Sequence, residues 1–429
     1  MSCHGNNATP PSPAIAPGGD GLDPAEIARE VGLAGMDRRV TAVVAAFDAP
    51  FFQAGLAGYS DAAMRIVARR HGAPLCVTEA LLDRMLLGGG RGFDKADIEL
   101  ICEALPCGDE DQPLAGQIIG SDPDEMAASA LKMIEQAARP DKAYRELAYG
   151  DGKLPQYVDT KWKVDGEAVG GSSQPSVVAE TVVFGSFAAI DVNLACPVKK
   201  IDRKSRGGHW LTEPVGAIEI LKAVRAAVPA HIPCTVKLRR AYDDTPEMAR
   251  NFEVVFDGAM VAGYAWATVH ARTVEQRYIG PSRWDFLRDL CARRRDAVIF
   301  GSGDVWEVGD IFRMIGYAGV AGVSVARGCI GNPWIFRQAR QMMAGQAPAA
   351  PTIAEQRDVL LQHFELSVAL NGERHAGRMM RKFGIRFASH HPRGEEVRKA
   401  MIGVSSLADW RAVLDAHYPI GAPVEPVPA

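Results

Sequence analysis

Residues 188–238, AAIDVNLACPVKKIDRKSRGGHWLTEPVGAIEILKAVRAAVPAHIPCTVKL, read as a strand, a loop, a helix and a second strand. AAIDVNL (188–194) and IPCTVKL (232–238) are short and almost wholly apolar, the pattern of strands buried on both faces. Between them, EPVGAIEILKAVRAAV opens with an acid and a proline, which suit the first turn of a helix. The unit recurs. PFFQAGL (50–56), PLCVTE (74–79), PLAGQIIG (113–120), AWATVH (265–270), DAVIFG (296–301) and AGVSVA (321–326) are runs of the same kind. Helical patterns separate them, among them DPDEMAASALKMIEQAA and SDAAMRIVARRHG, the latter with Ser60 expected to cap its start and Gly72 its end. Eight such units predict an α/β fold, a (β/α)8 TIM barrel over residues 46–345, against a usual span of about 250 residues. A doubly wound sheet is the rival, and the eightfold repeat favours the barrel.

Outside the repeats the character changes. Residues 1–45 read as a disordered tail and lead-in, and 419–429 as a second tail. Residues 139–175 carry Gly, Pro, Lys and Asp without a sustained period and read as an insertion before strand four. From Thr352, whose spacing to Glu355 is that of a capping box, Leu360, Leu361, Phe364 and Val368 follow at helical spacing. Ser406 with Asp409 opens another helix, so 352–418 is expected to be a small all-helical domain.

The chain has 429 residues, 47% hydrophobic and 23% charged, which rules out wholesale disorder and a disulfide-dense mini-scaffold. No run approaches about 18 apolar residues, so no membrane-spanning helix is expected. A net charge of −4 gives no global basic field, and any nucleic-acid contact must come from local clusters. The cysteines, Cys3, Cys76, Cys102, Cys107, Cys196, Cys234, Cys291 and Cys329, contain no C-x-x-C pair, so no metal site is expected. Free thiols and an N-terminus without a basic, apolar leader suit a reducing, cytoplasmic setting. Nothing in the sequence sets an oligomeric state.

In such a barrel, functional groups collect at the C-terminal ends of the strands. Those ends supply Ala54 to Gly58, Glu79, Gln117, Asn193 with Cys196, Lys237 with Arg239, His270 with Arg272, Gly301 to Asp304, and Arg327 with Gly328. After strands seven and eight, Gly301 and Gly303 would let backbone approach an anion and Arg327 would add a charged fork, which suits phosphate. Lys237 ends an otherwise buried strand, so it either snorkels to solvent or lies beside an anion such as the N1–C2=O edge of a reduced flavin. Gln117 would meet the pyrimidine edge of that ring. His270 would contact ring or phosphate, or serve the fold; Asn193 reads equally as a satisfied core amide.

Cys196 follows an apolar strand, is held by Pro197 and leads into a loop with two glycines. Over 199–206, Lys199, Lys200, Arg203, Lys204 and Arg206 oppose only Asp202. A basic loop beside a strand-end thiol suits a polyanion whose reacting group must reach the sulfur. An ordinary thiol, with a pKa of about 8.5, is mostly protonated at neutral pH and can act as a general acid.

DVNLACPVKK, with TVKLR (235–239), TVHART (268–273), GSGD (301–304) and ARGCIGNPWIF (326–336), resembles the tRNA-dihydrouridine synthase family. AGLAGYSD (54–61), VTE (77–79), GQIIGSDP (116–123) and RMMRKFG (378–384) continue the likeness in order. The resemblance implies an FMN-containing barrel with a helical tRNA-binding domain. NADPH would reduce the flavin, the flavin would deliver hydride to C6 of a uracil in tRNA, and Cys196 would protonate C5. It puts flavin contacts at Gly55, Leu56, Ala57, Gln117, Lys237, His270, Ser302, Gly303, Asp304, Ala326 and Arg327. Substrate contacts fall on Asn193, Lys199, Lys200, Arg203, Lys204, Arg239 and Arg272. Arg378, Arg381 and Lys382, at helical spacing, would meet phosphate or sugar.

Where the family reads A-P-M-A-G, this chain has Gly55 and Leu56; Ser302 and Ala326 replace Asn and Gly. Two alternatives stay open: a flavin barrel of dihydroorotate-dehydrogenase or ene-reductase type acting on a small molecule, and a barrel that binds RNA without reducing it.

Overall fold

A computed structural model describes residues 21–87, 112–137, 161–162, 168–169, 187–202 and 205–419. Eight strands form the barrel: β1 (Phe51–Gln53), β2 (Cys76–Val77), β3 (Leu114–Ile119), β4 (Ala189–Leu194), β5 (Cys234–Arg239), β6 (Trp266–His270), β7 (Ile299–Ser302) and β8 (Gly322–Val325). All pair in parallel with their neighbours in sequence, and β1 pairs with β8, which closes the ring. The ring fits its sequence, because each strand is buried along nearly its whole length, as a parallel sheet covered on both faces requires. The barrel expected from the eight repeats is the one observed.

The N-terminal ends of the strands are plugged by aromatic side chains. Phe47 stacks on Phe300 at 5.5 Å, Phe52 meets Phe300 edge-on at 5.4 Å, and Trp266 completes the cluster. Polar chemistry is thereby confined to the other mouth. The segment ahead of β1 also corrects the expectation of a disordered lead-in over 1–45. Helix α1 (Pro24–Ala34) is capped by Asp23 and buries Ala28, and Val40 and Phe47 are fully buried. Residues 1–20 lie outside the described set.

Helix α2 (Ala62–Arg70) follows β1. Its cap is Asp61, whose carboxylate accepts the Met64 N–H, and not Ser60, whose hydroxyl accepts the Leu56 N–H instead. At its end His71 is the cap, and Gly72 follows at φ +92°. Most of the insertion expected over 139–175 lies outside the described residues; within it Lys161–Trp162 pairs antiparallel with Ala168–Val169. No described helix is long and apolar enough to cross a membrane.

Among the described residues, four helices follow the barrel: α3 (Ile353–Asn371), α4 (Glu373–Phe387), α5 (Gly394–Ile402) and α6 (Leu407–His417). Both capping boxes form, Thr352 with Glu355 and Ser406 with Asp409. Trp410 packs on Phe364 at 5.0 Å and donates its indole N–H to the Leu360 carbonyl. Helix α3 lies against α2, and Tyr59 meets Phe383 of α4 at 5.5 Å, so this helical part sits beside the loop after β1.

Candidate active site

A cavity open to solvent lies at the C-terminal mouth of the barrel. Gly55, Leu56 and Ala57 line it from the loop after β1, and Gln117, Asn193, Lys237 and His270 from β3 to β6. Ser302, Gly303, Asp304, Ala326 and Arg327 close it from the loops after β7 and β8, and Cys196 faces them from the loop after β4. The mouth thus gathers the thiol and every residue expected to hold a flavin. Gly55 is required there, since a Cβ would collide with the Thr78 carbonyl and crowd the Gln117 Oε1 at 3.3 Å.

One wall is a chain of committed hydrogen bonds. Asp191 Oδ1 accepts from Thr235 Oγ1 (2.6 Å), and Oδ2 accepts from Gln117 Nε2 (2.7 Å). Gln117 Oε1 accepts from Asn193 Nδ2 (2.8 Å), and Asn193 Oδ1 accepts the backbone N–H groups of Ala195 (2.9 Å) and Cys196 (3.1 Å). Strand register makes this possible, because Gln117 is paired with Asp191 and Asn193 with Lys237. Arg239 braces the same loop by donating to the Ala195 carbonyl (3.0 Å). Behind the thiol, Gly207 at φ +60° leaves no room for a side chain, since its Cβ would stand 2.8 Å from that of Cys196.

The rest of the lining is cationic and less committed. Among the described residues, the buried His270 Nδ1 has no hydrogen-bond partner, and the Lys237 ammonium lines the same cavity, where the charge of Asp191 acts on it. Burial, reinforced by Arg239 and Lys237, holds His270 far below its usual pKa, so the ring is neutral. Burial also draws Lys237 below the usual lysine range, opposed by Asp191. The Arg327 guanidinium lies between the rings of Trp306 (4.5 Å) and Tyr278 (4.8 Å), with Asp304 at 3.8 Å.

The dihydrouridine synthase family model matches residues 171–419. The chain belongs to the dihydrouridine synthase family. A probable tRNA-dihydrouridine synthase of Treponema pallidum (strain Nichols) is 34% identical over 252 residues, 56% of this chain and 73% of that one. The probable tRNA-dihydrouridine synthase of Mycobacterium leprae (strain TN) is 33% identical over 53% of this chain and 59% of its own length. A tRNA-dihydrouridine(16) synthase of Cupriavidus necator is 33% identical over 40% and 53% respectively. The chain therefore spans between about half and three quarters of these relatives. Among solved structures, histamine dehydrogenase from Rhizobium sp. 4-9 is 12% identical, covering 80% of this chain and 51% of that one at a TM-score of 0.39.

In this dihydrouridine synthase several residues expected to touch substrate are occupied elsewhere. Asn193 and Arg239 line the cavity, but their polar groups hold the Cys196 loop, Arg239 also donating to the carbonyls of Thr273 (2.7 Å) and Arg277 (2.8 Å). Arg272 is buried and not in the cavity lining; it donates to the Gly280 carbonyl and to both Asp304 oxygens (2.7 Å each). Asp304, at φ +55°, also accepts the Ser282 N–H, so its carboxylate is committed and only its backbone is left for a ligand. Gly301 faces Met314 and Leu287 rather than an anion, whereas Gly303, at φ +114°, approaches His270.

The basic run is shorter than it reads. Arg206 is buried in an ion pair with Asp83 at 3.0 Å. Arg203, Lys204 and the side chains of Lys199 and Lys200 lie outside the described residues. On α4, Arg378 is exposed, Arg381 donates to the Val404 carbonyl (2.9 Å), and the Lys382 ammonium stands 4.4 Å from the centre of the Tyr59 ring. Sequence reading passes over Asp191, Tyr278 and Trp306. A lone charge inside an otherwise apolar strand is the signal that marks Asp191; the two rings lie in loops with no period to single them out.

Proposed function

We propose that this dihydrouridine synthase reduces uridine in tRNA to 5,6-dihydrouridine, using FMN held at the barrel mouth and NADPH as reductant. The observation that carries the reading is the meeting within one cavity of the Cys196 thiol, the Lys237 ammonium and a buried imidazole, that of His270, whose Nδ1 has no partner among the described residues.

The residues present fit the flavin. Lys237 supplies positive charge at the barrel axis, where the electron-rich edge of the ring would lie, and Gln117 has an amide N–H beyond the one given to Asp191. Arg327, stiffened between two aromatic rings, suits the phosphate, joined by backbone at Ser302, Gly303, Asp304 and Ala326. Gly55, Leu56 and Ala57 offer a close backbone edge, and His270 offers a ring nitrogen. Bound there, the flavin would supply hydride to C6 of the uracil.

Cys196 supplies the proton to C5 from its Sγ, and the Asn193 and Arg239 contacts keep that sulfur at the cavity. A uracil must leave its base stack to enter, which suits a loop of folded RNA. The exposed Arg378 is placed for the RNA backbone, and Lys382, over Tyr59, joins the helical part to the loop after β1.

The test is direct. Purified protein supplied with NADPH and unmodified tRNA is expected to form dihydrouridine and to carry bound flavin. Cys196→Ala is expected to keep the flavin and lose turnover by about a hundred- to ten-thousandfold, the usual worth of a placed proton donor. Undiminished turnover in that variant would overturn the role of the thiol.

A further inference from the structure

AAIDVNL carries one charge in the middle of a strand buried on both faces, and nothing in the chemistry above gives it a task. Asp191 is 5% exposed and faces the barrel interior beneath the cavity. An ionised carboxylate can only accept hydrogen bonds, whereas an amide side chain can be turned either way. With Asp191 accepting from both Thr235 and Gln117, the Gln117 nitrogen must point to Asp191 and its oxygen to Asn193. Asn193 must then turn its nitrogen to Gln117 and its oxygen to the N–H groups of Ala195 and Cys196. Each link polarises the next, so the chain has one direction, held at its buried end by the carboxylate and at its other end by the two backbone N–H groups. Burial raises the Asp191 pKa above the usual carboxylate value, opposed in part by the Thr235 and Gln117 hydrogen bonds and the Lys237 charge.

We infer that Asp191 is a positioning residue, which acts through Gln117 and Asn193 to fix the backbone at Cys196 and the face of the Gln117 amide turned to the cofactor. This rests on the reading of Cys196 as proton donor and of Gln117 as a flavin contact. It separates the carboxylate from an ordinary satisfied core group, because an ordinary group would affect stability without reaching the loop after β4.

The test is amide hydrogen exchange at residues 195 and 196 in the holoenzyme, with thiol alkylation of Cys196 alongside. Asp191→Leu removes the acceptor and is expected to speed both by roughly tenfold, the worth of one buried hydrogen bond. The same variant is expected to lower kcat with KM for tRNA unchanged. The swap Asp191→Asn with Gln117→Glu keeps every donor opposite an acceptor: the amide introduced on β4 donates to the carboxylate introduced on β3, which still accepts from Asn193. It is expected to restore wild-type exchange at 195 and 196. Wild-type exchange in Asp191→Leu, or exchange in the swap as fast as in Asp191→Leu, would overturn the inference. Should Asp191→Leu fail to fold, a folded swap with protected amides supports the inference and an unfolded or unprotected one overturns it. Neither readout needs tRNA or turnover, so failure here is distinct from absence of dihydrouridine formation by the unaltered enzyme.

Discussion

The barrel mouth and the interior of the helical part both bury polar atoms that lack a partner among the described residues, yet the two sets are not alike. At the mouth they include the His270 Nδ1 and Ser324 Oγ, beside the Lys237 ammonium, and all three residues line a cavity. In the helical part they include both ring nitrogens of His363, Ser367 Oγ and Gln356 Oε1. There His363 lies against Phe383 with ring centres 4.4 Å apart. Each such atom costs on the order of 1–3 kcal/mol. At the mouth a ligand can recover that cost, whereas among packed side chains nothing does. An orphaned polar atom therefore points to function only where space for its partner adjoins it.

The largest expected effect is at the mouth. Lys237→Met keeps the length and apolar stem of the side chain and removes the charge. NADPH-driven reduction of the flavin is expected to slow by roughly a hundred- to a thousandfold, the scale of losing one preorganised electrostatic donor. The melting temperature should change little, because the desolvation cost of a buried ammonium and its attraction to Asp191 are lost together. Stopped-flow reduction with a thermal melt checks both, and an unchanged rate with lower stability would erase the contrast.

The matching substitution in the helical part should act in the opposite sense. Burial holds His363 down to about 3, against about 6.5 in an unfolded chain. Its folded pKa is depressed, so between these values the unfolded state binds the proton and the native state does not. Stability is complete above about pH 6.5 and falls as pH drops toward 3, by about 2 kcal/mol at pH 5 from this group. His363→Leu should remove that part of the slope while dihydrouridine formation at neutral pH is unchanged. Denaturant titrations at pH 5 and pH 8 measure it; an unaltered difference between the two would show that the proton is taken up elsewhere.

The barrel was legible because a parallel sheet closed on itself hides both faces of every strand, and eight apolar runs leave few other solutions. The cavity lining was legible for the same reason, since strand ends converge once the ring closes. What the sequence hid was commitment. Arg239, Arg272 and Arg378 are the same residue type in similarly polar contexts, but Arg239 binds three carbonyls, Arg272 clamps Asp304, and Arg378 is exposed. Those partners come from loops distant in sequence, and no local period encodes them. Asp191 was hidden in the reverse way, within a run whose apolar character drew attention from its one charge.

The smallest expected effect carries the contrast down to neighbouring positions of one helix. Arg378 and Arg381 of α4 lie three residues apart, the first exposed and the second donating to the Val404 carbonyl. If only uncommitted groups meet RNA, Arg378→Ala should weaken tRNA binding about equally across sequences and reduce the salt slope by about one. Arg381→Ala should leave that slope unchanged and cost about 1 kcal/mol of stability through the lost hydrogen bond. For a chain this long, that is a shift of a few degrees at most in the melting temperature. Binding isotherms over a range of salt, paired with melts of both variants, decide it. A salt slope that moves with Arg381 and not with Arg378 would mean that α4 turns on meeting RNA and exchanges its internal contact for phosphate.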